Sequence, residues 1–280
     1  TIPYQGKYIV YRPLKKLAFV ANAALVNLIV KTRGDPLHSH PEGDHEAFGF
    51  LETIGFWGPD PPPPPPASND SCKPTIAVLF LTTACNFRCI YCDASAGEHS
   101  LQNLPVVLGD RAIDAVCRNA LESGQDHFEL AFHGGGEPTL AQENFRTLVE
   151  YAKAKDLPCK IGVSSNGFWG EAERDWILEH LDNLSLSFDG IQDVQNRQRP
   201  LASGQGTFEP VLETIRMLDQ RKFPYGIRLT VTDESIECLT QSIQFLCQET
   251  ACPTFQIEPA FNHGRAKRDG SALTQNDRFA

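Results

Sequence analysis

With 280 residues, 41% hydrophobic and 21% charged, the chain is long and apolar enough to bury a core of ordinary globular size. Its formal net charge of −10 gives no reason to expect nucleic-acid binding, and no apolar run would span a bilayer; the nearest, Leu17 to Val30, contains Asn22 and Asn27. No signal-peptide pattern is found, so the expected location is cytoplasmic, where the nine cysteines stay reduced and suggest metal chemistry for some and packing for the rest.

From the N-terminus, Lys7 to Tyr11 reads as a strand, Leu14 to Leu17 as a second, and Asn22 to Val30 as a short amphipathic helix. His38, His40 and His45, with Glu42, Asp44 and Glu46, invite a metal hypothesis but read better as a solvated loop; an apolar patch, Phe48 to Phe56, follows. Pro59 to Pro66 is proline throughout except Asp60, and residues 67–71 are polar. Such a run favours polyproline II and makes a semi-rigid spacer. The predicted organisation is a small N-terminal α+β segment (1–58), a proline-rich linker (59–71), a core (72–266) and a short remainder (267–280).

In the core, strands alternate with helices. Predicted strands are Ile76 to Thr82, Phe128 to Phe132, Cys159 to Ser164, Leu184 to Phe188, Ile227 to Val231 and Phe255 to Glu258. Helices are expected at Asp110 to Leu121, Gln142 to Lys155, Glu171 to His180, Phe208 to Gln220 and Ser235 to Cys247. This order implies a parallel sheet with right-handed crossovers. Six units are too few for an eight-unit barrel, so the fold class is α/β, a partial (β/α)6 TIM-like barrel or an open sheet. In either, chemistry belongs at the C-terminal ends of the strands.

The first motif falls there. Cys85, Cys89 and Cys92 lie on one loop after the first core strand, three thiols within eight residues. A tetrahedral zinc site needs a fourth ligand; His99 and His133 are the candidates, neither at a finger-like spacing. A cubane cluster held by three cysteines leaves one iron open to a substrate or cosubstrate. Further polar clusters end the next three strands: Gly135-Gly136-Glu137-Pro138, Ser165-Asn166-Gly167 and Ser187-Phe188-Asp189-Gly190. Cys72, Cys117, Cys159, Cys238, Cys247 and Cys252 read as packing residues.

Cys-x3-Cys-x2-Cys with an aromatic before its last cysteine resembles the cluster loop of the radical S-adenosylmethionine (SAM) superfamily. Gly135 to Pro138, Ser165 to Gly167 and Ser187 to Gly190 are similar to its Gly-Gly-Glu-Pro, Thr-Asn-Gly and Ser-x-Asp-Gly segments. Residues 195–200 and 206–208 resemble the His-Asp-x-x-Arg-Pro…Gly-x-Phe stretch of peptide-modifying members, with Gln195 and Asn196 in place of His-Asp. Gln256 to Pro259, leading to Gly264-Arg265-Ala266, looks like the barrel exit of the branch that adds a SPASM or twitch extension.

The resemblance implies a [4Fe–4S] cluster on Cys85, Cys89 and Cys92. It implies SAM chelating the open iron, held by Gly135, Gly136, Glu137, Ser187 and Arg199, with Arg197 as the rival arginine. Asn166 and Asp189 would make ribose or backbone-positioning contacts, and Tyr91 would pack near the adenine. Reductive cleavage would give a 5′-deoxyadenosyl radical that abstracts hydrogen from the substrate. The branch implies a precursor peptide as substrate, crosslinked, epimerised or rearranged. Its partners would be an electron donor such as flavodoxin or ferredoxin and a leader-binding function, in the N-terminal segment or a separate protein. It also implies auxiliary iron–sulfur clusters in a C-terminal extension, so 267–280 reads as the start of a truncated one. The alternatives are a small-molecule reaction like GTP cyclisation in molybdenum-cofactor synthesis, or a non-catalytic iron–sulfur or zinc module.

Overall fold

The computed structural model describes residues 1–32, 45–63 and 72–269. The expectations for His38, His40, Glu42 and Asp44, for the linker from residue 64 and for residues 270–280 lie outside the described residues. The chain divides into two compact units, with the boundary between Ser71 and Cys72.

In the first unit, β1 (Ile2–Tyr4), β2 (Lys7–Arg12) and β3 (Leu17–Ala21) form an antiparallel meander. Gln5 and Gly6, both at positive φ, make the two-residue turn that matches strand twist between β1 and β2. The second strand was expected at Leu14 to Leu17, but Pro13–Lys15 forms a 3-10 turn and pairing starts only at Leu17. Pro13 has no N–H to donate to a ladder, and Lys16 turns the chain through the left-handed region at φ 57°. Helix α1 (Ala23–Lys31) is capped by Asn22, whose Oδ1 accepts from the Leu25 amide at 2.8 Å, and α2 (His45–Thr53) carries most of the apolar patch. Val10, Ala21, Leu28, Leu51 and Phe56 are the buried centre of this unit.

The second unit runs β4 (Ile76–Leu79), α3 (Val106–Glu122), β5 (Phe128–Phe132), α4 (Gln142–Lys153), β6 (Cys159–Ser165), α5 (Glu171–His180) and β7 (Asn183–Ser187). It continues with α6 (Gln192–Gln198), α7 (Phe208–Arg221), β8 (Tyr225–Val231), α8 (Leu239–Glu249), β9 (Phe255–Pro259) and α9 (Gly264–Asp269). The sheet order is β4-β5-β6-β7-β8-β9, every pairing parallel. Among the described residues β4 and β9 do not pair with each other, so the six-unit barrel is open. The first core strand stops at Leu79, earlier than expected, and Thr82 only bridges Asn103. The fifth core helix divides into a 3-10 turn (Ile236–Cys238) and α8.

Strand periodicity separates two faces. On β6, Ile161, Val163 and Ser165 are buried toward the helices, and on β8 so are Tyr225, Ile227, Leu229 and Val231. The helices answer with apolar stripes; Phe145 of α4 meets Phe132 of β5 edge-on at 4.7 Å between ring centres. The alternate residues line the inside of the sheet, and many are small: Ala131, Gly162, Ser164, Ser185, Ser187 and Gly226. The packing expectation fails for Cys72 and Cys247, which are exposed.

Candidate active site

The segment after β4 does not enter a helix until Val106, leaving a long loop over the C-terminal rim. Buried Phe87 anchors it and bridges Leu201, while the amides of Arg88 and Ile90 donate to the carbonyls of Pro200 and Gln198 at 2.8 and 2.9 Å. The Arg88 guanidinium donates to the carbonyls of Cys85, Phe87 and Gly97, closing the loop on itself. The result brings Cys85, Cys89 and Cys92 onto the wall of one cavity of about 420 Å³. Burial raises the Cys85 thiol and pushes Cys89 up to about 12, so both need a positive partner to ionise. Among the described residues no three His, Cys, Asp or Glu side chains could hold a single metal ion, so His99 and His133 do not complete a zinc site. Three thiols spread around one cavity suit a multi-iron cluster, whose ligands each take a different iron.

The facing wall is the glycine turn after β5. Gly134 and Gly135 have φ of 71° and 72°, and a Cβ on Gly136 would lie 2.7 Å from the Ala84 carbonyl carbon and 2.9 Å from Thr82 O. The turn therefore touches the base of the cysteine loop, and the Glu137 amide donates to Ala84 O at 2.8 Å. The Glu137 carboxylate is buried and raised in pKa by that burial, against the hydrogen bonds it accepts. It takes bonds from Ser165 Oγ (2.6 Å), the Asn166 amide (2.8 Å), and Thr139 through Oγ1 (2.9 Å) and its amide. Much of its accepting capacity ties β5 to β6. Asn166 Nδ2 reaches Asn86 Oδ1 at 2.7 Å, linking β6 to the cysteine loop.

Gly135, Gly136, Glu137, Asn166, Ser187 and Arg199 share the cavity with the cysteines. Tyr91 and Asp189 do not line it, which differs from the adenine-side position expected for Tyr91. Asp189 is buried and Tyr91 half-buried: Tyr91 donates to Asp189 Oδ2 (2.8 Å) and accepts from Arg199 Nη1 (2.6 Å). Asp189 also accepts from Gln198 Nε2 and the Thr230 amide. Desolvation opposes the charge on Arg199, but Cys89, Tyr91 and Asp189 around it keep it protonated. Arg199 lines the cavity, and its Nε is buried in the wall without a hydrogen-bond partner. Arg197 is instead exposed, 3.5 Å from Glu234, and is not among the residues lining the cavity.

Gln195 and Asn196 have a definite use. Gln195 is fully buried; its Oε1 accepts from the Asp189 amide (2.8 Å) and its Nε2 donates to Thr207 Oγ1 (2.9 Å). Asn196 Oδ1 accepts from the amides of Thr207 and Phe208, capping α7. Cavity residues that were not anticipated include Asp93, Ala94 and Ala96 on the cysteine loop, Phe80 and Ser164, and, in this role, His133 and Arg228. For Ser164 on β6 and Arg228 on β8, and for Phe80 and His133 one position past β4 and β5, the signal was strand parity: each continues its strand's inward alternation, readable once the outward apolar positions are assigned. Arg228 donates through Nε to Glu258 Oε2 at 2.9 Å, carrying a half-buried ion pair across β8 and β9.

A family model described as the radical SAM superfamily matches residues 79–246, and the chain belongs to that superfamily, whose members use a [4Fe–4S] cluster and SAM. The maturation protein SkfB of the sporulation killing factor, from Bacillus subtilis (strain 168), is 27% identical over 241 residues, covering 85% of this chain and 53% of that protein. A GTP 3′,8-cyclase of Haemophilus ducreyi is 29% identical over 184 residues, covering 64% and 48%. The structure of Streptococcus suis SuiB bound to the precursor peptide SuiA superposes with a TM-score of 0.54 at 11% identity, over 89% of this chain and 53% of that one. The chain spans about half the length of these relatives. The donor set fits the family's cofactors: three thiols on one cavity, a glycine turn with no room for side chains, and a buried arginine lining the same cavity. Among the described residues no helix is long and apolar enough to cross a membrane.

Proposed function

We propose that this chain is the catalytic core of a radical SAM enzyme that modifies a ribosomally synthesised peptide. The observation that carries the reading is the single cavity lined by all three cysteines, the Gly134 to Glu137 turn and the buried Arg199. When bound, the cluster and SAM supply a 5′-deoxyadenosyl radical that abstracts hydrogen from the substrate. Cys85, Cys89 and Cys92 hold the cluster, and the Gly135 to Glu137 turn, Ser187 and Arg199 receive the amino-acid end of SAM. A guanidinium suits the carboxylate because its fork presents paired donors. Tyr91 and Asp189 fix that guanidinium from behind, and Asn166 steadies the loop that carries the thiols.

A peptide substrate is supported by SkfB, a maturation protein, and by SuiB, seen with a precursor peptide. Within the first unit, β3 is an edge of the described sheet, and beside it a groove of about 290 Å³ is lined by Val20, Ala21, Leu25, Leu28 and Ala47. An extended leader segment could add to such an edge and seat alternate side chains in such a groove. A flavodoxin or ferredoxin would deliver the electron. The H. ducreyi cyclase supports a second reading, a small-molecule substrate.

The test is anaerobic: reconstitute with iron and sulfide, add SAM and dithionite, and assay 5′-deoxyadenosine for the wild type and for Cys85/Cys89/Cys92→Ala. Product from the wild type alone supports the reading; a zinc-bound chain without a cluster sinks it. Mass spectrometry of a precursor peptide encoded beside the gene, with GTP as the competing substrate, separates the two substrate classes.

A further inference from the structure

Arg265 lies 173 positions beyond Cys92, in the short helix that follows the last strand, yet its side chain is 4% exposed and spent entirely on the cysteine loop. Nη1 donates to the carbonyl of Cys89, Nη2 to that of Ala96 at 3.0 Å, and Nε to Glu98 Oε1 at 2.8 Å. The Arg265 amide adds a bond to the carbonyl of Cys92, also at 2.8 Å. Two of the three cysteines are thus gripped by one residue through their own backbones. Arg268 reinforces the grip from outside, donating to both oxygens of Glu98. The approach is close enough to demand glycine at 264: its φ is 52°, and a Cβ there would stand 2.5 Å from Cys92 O and from the Asp93 carbonyl carbon. None of this is needed to form β9 or to bury the core, both of which lie elsewhere.

We propose that Arg265 is a positioning residue for the iron–sulfur ligands, a clasp by which the segment after β9 holds the cysteine loop in its ligating shape. The inference rests on the radical SAM reading of the loop. Because β4 and β9 do not pair, the first and last βα units of the open barrel are joined here on the rim rather than through the sheet. Groups that orient metal ligands from behind carry much of a site's affinity although they never touch the metal.

The test compares the whole chain with Arg265→Gln, Arg265→Lys and Glu98→Gln. Iron release from the reconstituted protein to excess ferrous chelator is timed, and maleimide labelling of Cys89 and Cys92 is timed in the cluster-free protein. Electron paramagnetic resonance of the reduced cluster and thermal melting accompany both. The expected result is release about tenfold to a hundredfold faster in Arg265→Gln, with an altered resonance signal and a melting temperature close to the wild type. Arg265→Lys, which keeps the charge but not the fork, should fall between. Wild-type release and labelling rates in a folded Arg265→Gln chain would overturn the proposal. If Arg265→Gln does not fold, Arg265→Lys decides: it breaks the fork, and wild-type rates there overturn the proposal equally, while Glu98→Gln, whose amide oxygen still accepts from Arg265 Nε, should stay close to the wild type. A wild-type chain that takes up no cluster would refute the radical SAM reading instead, and the labelling rates would still test the clasp.

Discussion

Adding a single methyl group at Gly136 should damage this protein far more than the same change at Gly226. At Gly136 the new Cβ would stand 2.7 Å from the carbonyl carbon of Ala84 and 2.9 Å from Thr82 O, and closer still to the Ala84 oxygen. All three are backbone atoms, so no rotamer change relieves the clash. The turn must move away from the cysteine loop, taking with it the 2.8 Å bond from the Glu137 amide to Ala84 O. Overpacking costs about 1–3 kcal/mol and a lost hydrogen bond about 1 kcal/mol, so Gly136→Ala should cost roughly 2–4 kcal/mol. For a unit of this size that is a fall in melting temperature of about 5–15 °C. At Gly226 the nearest atom, Thr254 O, would be 3.4 Å away and φ is ordinary, so Gly226→Ala should be neutral within about 0.5 kcal/mol. Thermal and urea melts of the cluster-free chain give both numbers. A Gly136→Ala protein that melts with the wild type would refute the argument that this turn is fitted against the cysteine loop.

Gln195→Leu leaves the Asp189 amide without its acceptor and Thr207 Oγ1 without its donor inside the fold, and should lower urea-unfolding stability by about 2–4 kcal/mol. Arg199→Lys replaces a fork by a point charge and should raise the SAM concentration for half-maximal 5′-deoxyadenosine formation about thirtyfold, equivalent to about 2 kcal/mol. Asp114 joins α3 to α4 by accepting from Lys155 and Tyr151, and its bond from Lys155 holds its carboxyl below the usual 3.8. A depressed carboxyl stabilises the fold above its unfolded pKa and loses that contribution as pH falls through the folded value. Asp114→Asn, half exposed, should therefore cost only about 0.5 kcal/mol at pH 7, with the gap to the wild type closing below pH 3.8 in pH-dependent urea melts.

What the sequence disclosed was whatever is local. Strands such as Phe128–Phe132 and helices such as Glu171–His180 carry their own period and their own boundaries, and the structure starts and ends them where the residues indicate. The cavity was legible as far as its residues sit in recognisable motifs: Cys85, Gly135 and Ser187 after or at the ends of strands, and Arg199 at the end of α6, all reach it. Illegible were pairings between distant segments. Nothing near Tyr91 announces that its hydroxyl will lie between Asp189 and Arg199, about a hundred positions away. Arg265 reads only as part of the barrel exit, and Glu98, 167 residues away, falls in no motif. The strand expected at Leu14 begins only at Leu17 because Pro13 opens a 3-10 turn over Pro13–Lys15 and Lys16 turns the chain through the left-handed region.

The alternation along β6, β7 and β8 has an evolutionary consequence. Ile161, Val163, Leu184, Leu186, Ile227 and Leu229 face the helices, while Gly162, Ser164, Ser185, Ser187, Gly226 and Arg228 occupy the intervening positions. Neighbouring codons therefore answer to different selection, one set to folding and the other to whatever enters the barrel. Where the inward residue lines the cavity, as Ser164 and Ser187 do, a single substitution reshapes what is admitted while the hydrophobic layer stays as it was. Divergent substrates can arise on such a scaffold through drift on one face of each strand.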